Sequence, residues 1–76
     1  MEFEHNIELD ARMVLAAMRN GMDGLINFGF VNKMYFTNPK MVTDRANWLK
    51  KQSEDYIMKV SRRAAELEKY YKKTQQ

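Results

Sequence analysis

The chain reads as all-α: an elongated helical hairpin that completes its core as a homo-oligomeric helical bundle. Three observations predict this. An apolar stripe, Val42, Ala46, Leu49, Ser53, Tyr56, Val60, Ala64, Leu67 and Tyr71, advances three or four residues at each step, which is helical periodicity. Neither glycine nor proline occurs from Lys40 to Gln76, and strong helix formers dominate that run. The chain has 76 residues and no cysteine, room for a single domain (1–76) with one modest core. Small domains that lack disulfides often recruit a partner subunit to finish such a core.

The amino terminus, Met1 to Asn6, is acidic, with no apolar run behind it of the kind a signal peptide carries, and both termini are expected to fray. A first arm follows at about 7–36. Ile7, Ala11, Val14, Met18, Gly21, Leu25 and Phe28 line one face at helical spacing, and Ala17 and Gly21 place two small residues where another backbone could approach. Gly21 and Gly24 bracket Met22 and Asp23, so the alternative is a first arm broken near Gly21–Gly24, giving three helices. Ile26 to Phe30 alternate as a strand would, but a lone strand has nothing to pair with, so helix is preferred.

Thr37-Asn38-Pro39 punctuates the chain. Asn38 suits a helix cap and Pro39 the first helical position. The second arm runs from about 39 to 73, roughly 50 Å at ~1.5 Å per residue. Val42, Ser53 and Ala64 fall eleven apart, a period near 3.6, so a tight left-handed supercoil is not implied. In a hairpin turning at Thr37–Asn38, the carboxy-terminal lysines return beside Glu2, Glu4, Glu8 and Asp10, and Arg63 comes level with Asp10 or Glu8 as an ion-pair partner.

Two surfaces are candidate sites. If residues 25–36 are helical, Leu25, Phe28, Tyr35 and Phe36 face the other arm, while Ile26, Phe30 and Met34 point away from it. A helix apolar nearly all round needs more than one neighbour. Ile26, Phe30 and Met34 are therefore the expected protein interface, with Met41 and Trp48 as flanking anchors of the residue types interfaces favour. The second surface is basic. Residues 1–38 carry three basic and five acidic side chains, residues 39–76 ten and five. Lys59, Arg62, Lys69 and Lys73 fall along one line of the second arm with Tyr70 near, cations for phosphates and a ring for unpaired bases. The plain reading of that line is a solvated face partly neutralised by the returning acids.

No chemistry is signalled. His5 is the only histidine, Gly21-Met22-Asp23-Gly24 lacks the spacing and lysine of a phosphate loop, and neither Ser53 nor Ser61 has a histidine placed to activate it. No enzyme activity, cofactor or metal is expected. No stretch approaches the ~18 apolar residues a membrane span requires, so a cytoplasmic chain with no membrane partner is expected. The leading expectation is a self-associating interaction protein, a homodimer that binds and modulates another protein as inhibitor or adaptor. Its alternative is a nucleic-acid-binding hairpin regulator, and a third reading is an oligomer that sequesters a ligand between subunits. In architecture alone, with no shared motif, the hairpin plan resembles the small RNA-binding regulators of plasmids.

Overall fold

Three helices form: α1 (Ile7–Val31), α2 (Pro39–Lys50) and α3 (Glu54–Thr74). The structure, a computed structural model, describes residues 3–74, with the side chains of Pro39, Lys73 and Thr74 outside the description. No strand occurs among the described residues.

The first arm starts where its cap allows. The Asn6 side chain accepts from the Leu9 N–H at 3.0 Å, and Glu8 and Asp10 supply negative charge to the first turn. The arm does not continue straight. Gly21 adopts φ 60° and ψ −139°, a conformation open essentially to glycine alone. Beyond it, residues 22–31 turn back along residues 7–20. In an unbroken helix Ala16 and Gly24 would lie roughly 12 Å apart along the axis. Here a Cβ built on Gly24 would sit 2.2 Å from the Ala16 carbonyl oxygen. The close approach expected at Ala17 and Gly21 is thus made instead by Ala16, the residue before Ala17, and Gly24, three residues after Gly21. The arm also stops early. The Asn32 N–H and side-chain amide both donate to the Phe28 carbonyl, at 3.0 and 2.8 Å, and residues 32–35 form a turn rather than a further helical turn.

The expected second arm is two helices. α2 begins as the sequence indicates, with Asn38 accepting from the Met41 N–H at 3.2 Å and Pro39 in the first turn. It ends at Lys50, where the Lys51 and Gln52 N–H groups close short turns onto Trp48 and Leu49. Ser53 then caps α3, its Oγ accepting from the Tyr56 N–H at 3.3 Å, with Glu54 and Asp55 in the first turn. A continuous rod of about 50 Å would exceed the longest dimension of the whole molecule, 41 Å.

The antiparallel order expected of the two arms is corrected as well. Tyr56, near the start of α3, meets Asn6 and Asp10, whereas Tyr71, near its end, lies against Arg19 at 5.6 Å. α3 therefore runs in the same sense as residues 7–20, not against them, and the likeness in plan to a dimerised hairpin goes with that antiparallel order. The carboxy-terminal half of α3 does not return beside Glu4, Glu8 and Asp10; Glu2 lies outside the described residues.

Both later helices pack on α1. Ala11 and Leu15 meet Tyr56, Val60, Ala64 and Leu67 in one cluster, and Leu9, Met13, Phe36 and Val42 form a second with Leu25 and Phe28 beside them. Leu49 touches both. The stripe read from the sequence is thus the inner face of α2 and α3, carried through a bend. No described helix is long and apolar enough to cross a membrane.

Candidate docking surface

Two flanks of α2 divide the polar interior from the exposed apolar face. On one flank, Asp10 and Arg45 are buried together, at 0% and 6% exposure. Arg45 Nε donates to Asp10 Oδ1 at 2.5 Å and Nη2 to Oδ2 at 3.2 Å, a two-point fork. Nη2 also donates to the Glu4 carbonyl at 2.9 Å. The Tyr56 hydroxyl donates to Asp10 Oδ2 and accepts from the Asn6 N–H at 2.9 Å. Burial, then the bond to Asp10, pushes the Tyr56 pKa up to about 12. This cluster ties the amino-terminal segment, α1, α2 and α3 at one point, and no buried side-chain nitrogen or oxygen among the described residues lacks a partner.

Residues 3–6, ahead of α1, pack against the later helices. His5 stacks on Tyr56 at 3.9 Å, with Nε2 2.9 Å from Gln52 Oε1, and Phe3 meets Trp48 edge-on at 5.6 Å. Trp48 also lies under the Arg45 guanidinium at 4.8 Å and edge-on to Tyr56 at 6.2 Å. It is half-buried and used inside the chain, not presented as an anchor. Met41 likewise packs against the second core cluster, its sulfur accepting from the Thr37 hydroxyl at 3.0 Å. Neither joins Ile26 and Phe30, because both project from the flank of α2 that faces the amino-terminal segment.

The other face is where apolar surface is left over. Residues 22–31 turn Gly24 and Phe28 to residues 7–20, and Leu25 and Gly29 to α2, where Gly29 lies in van der Waals contact range of Val42. Met22, Ile26 and Phe30 then follow one another four residues apart along the outer side, and Met34 continues the line into the turn. Ile26 is half-buried, but Met22, Phe30 and Met34 expose 58%, 55% and 87% of their surface. Met22 was missed in the sequence although it stands one helical turn before Ile26.

A cleft of about 580 Å³ opens between α1 and α2 beside this line, floored by Val14, Ala17, Met18, Leu25, Ala46 and Leu49. Among the described residues its only charged lining group is Lys50. A second cleft, about 460 Å³ beside Phe30, has Lys33 as its only charged lining group among them. No described carboxylate lines either.

The basic line on α3 is partly engaged. Lys59 pairs with Asp55 at 3.1 Å. Arg62 and Lys69 are exposed and make no ion pair among the described residues, Tyr70 is exposed and edge-on to Tyr71, and the Lys73 side chain lies outside the described residues. Arg63 does pair with Glu8, at 2.7 Å, and with Glu66 at 3.0 Å. The Arg63 hydrogen bond holds the Glu8 carboxyl below its ordinary 4.5, and Glu8 in turn raises the Arg63 guanidinium above its usual range.

Comparison with protein-family models, with curated proteins and with solved structures returned no match.

Proposed function

We propose that this chain is a binding rather than a catalytic protein: a small cytoplasmic helical module that self-associates and docks on another protein to modulate it, as inhibitor or adaptor. The observation that carries this reading is the uninterrupted line of Met22, Ile26, Phe30 and Met34 left outside a core that closes without it. Contiguous exposed apolar surface of this kind characterises interaction sites. Methionine suits it further, because an unbranched thioether adapts to different partners. The adjoining cleft, apolar with Lys50 at its rim, fits a partner segment that is apolar with an acidic flank.

One observation favours a nucleic-acid reading in second place. Because α3 runs in the same sense as residues 7–20, Arg62 and Lys69 are exposed without an ion pair to any described acidic residue, and the Arg19 guanidinium lies 5.6 Å from the Tyr71 ring.

Two variants separate the readings, each used as bait against protein extract and against labelled single-stranded RNA. Phe30→Asp should lose the captured protein partner. Lys59→Glu/Arg62→Glu/Lys69→Glu should keep it and bind no RNA at any salt concentration. Capture that survives Phe30→Asp but fails in the charge-reversed variant would falsify the docking reading and favour the second.

A further inference from the structure

We infer that Met18, Met22 and Met34 are oxidation sites through which a peroxide switches the docking face from apolar to polar while the fold stays intact. This rests on the docking reading above and adds the regulation of that face.

Among the described residues the methionines divide by exposure. Met34, Met18, Met58 and Met22 expose 87%, 63%, 59% and 58% of their surface, whereas Met13 exposes 1%. Met41 is half-buried, and its sulfur accepts from the Thr37 hydroxyl at 3.0 Å, which engages a lone pair that an oxidant needs. Three of the four exposed thioethers belong to the docking face. Met18 and Met22 line the cleft between α1 and α2, and Met34 ends the line that Met22 begins. Met13 lines the same cleft but is buried, so exposure rather than neighbourhood sets it apart from Met18 and Met22. The chain has no cysteine, so no thiol of its own competes for the oxidant.

The step needs only the peroxide. A sulfur lone pair attacks one peroxide oxygen and the O–O bond breaks. The proton on the transferred oxygen passes to the departing hydroxide, which leaves as water. The sulfur is oxidised by two electrons to the sulfoxide and the peroxide is reduced. The S–O dipole accepts hydrogen bonds from water, so burying it against an apolar partner costs free energy that burying the thioether does not. Ile26 and Phe30 stay apolar but lose the apolar neighbours at both ends of their line. The core is untouched, because none of the exposed methionines belongs to either buried cluster. A thiol-dependent sulfoxide reductase reverses the change, two thiols becoming a disulfide and the oxygen leaving as water.

Hydrogen peroxide treatment of the full chain tests the switch, read by tryptic mass spectrometry, circular dichroism and retention on a phenyl hydrophobic-interaction column. Cleavage after lysine and arginine puts Met22, Met34, Met41 and Met58 on separate peptides, and fragmentation resolves Met13 from Met18. Sulfoxide should form first on Met34, then on Met18, Met22 and Met58, with none on Met13 and the helical signal unchanged. Retention should fall, and return after treatment with a sulfoxide reductase and dithiothreitol. Met18→Leu/Met22→Leu/Met34→Leu should keep its retention in peroxide although Met58 oxidises, whereas Met58→Leu should lose retention as the wild type does. Oxidation of Met13 alongside Met34, loss of the helical signal together with retention, or an equal fall in the triple variant overturns the inference. Phe30→Asp separates the inference from the reading beneath it. If the untreated variant elutes before the wild type while peroxide leaves wild-type retention unchanged, the switch falls and the docking face stands. If neither peroxide nor Phe30→Asp moves retention, both fall.

Discussion

Asp10 is the residue on which most of the interior depends. A buried carboxylate is tolerable only with its charge and lone pairs answered, and here Arg45 and Tyr56 answer them. Removing one member is costly because it strands the others. Asp10→Ala leaves a buried guanidinium whose remaining bond goes to the Glu4 carbonyl, and should cost about 3–5 kcal/mol in urea unfolding. Tyr56→Phe removes one hydroxyl and should cost about 1–2 kcal/mol. The same hydroxyl gives a pH signature. Its folded-state pKa, about 12, lies above its ordinary 10.0, so its contribution is complete below pH 10 and is lost as pH rises towards 12. Stability measured between those values should fall in the wild-type chain and fall less in Tyr56→Phe. Glu8 works at the other end of the scale. Its pKa is lowered by Arg63, so its contribution is present above the ordinary 4.5 and fades as acid protonates it, and its exposure to solvent keeps the effect small.

At the scale of elements, two glycines decide whether the first arm is one rod or two. Gly21 has open space around it but a positive φ, and Gly24 has an ordinary helical backbone but no room for a Cβ. In a straight helix, alanine at either position would stabilise by about 1 kcal/mol. In the bent arm both substitutions should destabilise instead: Gly21→Ala by about 1–3 kcal/mol of backbone strain, and Gly24→Ala through overpacking against the Ala16 carbonyl, about 1–3 kcal/mol. Thermal unfolding of the two variants reads the sign directly. The sequence carried part of this. Gly21 and Gly24 marked the bend, Asn38-Pro39 marked the start of α2, and the apolar stripe identified Tyr56, Val60, Ala64 and Leu67 as core. It did not show the break at residues 51–53, since Ser53 stays in phase with the stripe and no glycine or proline signals the interruption. Only the conjunction of Ser53 with Glu54 and Asp55, a cap followed by first-turn acids, could have suggested it. Once the break was missed, the direction of α3 followed wrongly, and with it the placing of the basic face. The Asp10–Arg45 pair was beyond reach for a different reason. Asp10 is one of several charged residues at the start of α1 and Arg45 directly follows Asp44, and a lone sequence does not say which charge is buried or which it meets.

At the scale of the whole molecule, the helices have no independent footing. α2 and α3 pack on α1, and Trp48 stands where the amino-terminal segment, α2 and α3 converge. The chain should therefore unfold as one unit, with Trp48 fluorescence and helical circular dichroism following a single transition. The proposed self-association would add a term that depends on how much protein is present, because a second copy would bind the folded state only. For a chain of this size, each tenfold rise in concentration should lift the midpoint of a dimer by about 3–5 °C. Phe30 is exposed, so Phe30→Asp should leave the monomer within about 0.5 kcal/mol of its original stability. Its midpoint should then stay fixed as concentration changes. Melting both proteins over a hundredfold concentration range distinguishes the cases: a wild-type midpoint that climbs against a flat Phe30→Asp line is the expected pair, and two flat lines would mean that the apolar face is not covered by a copy of the chain.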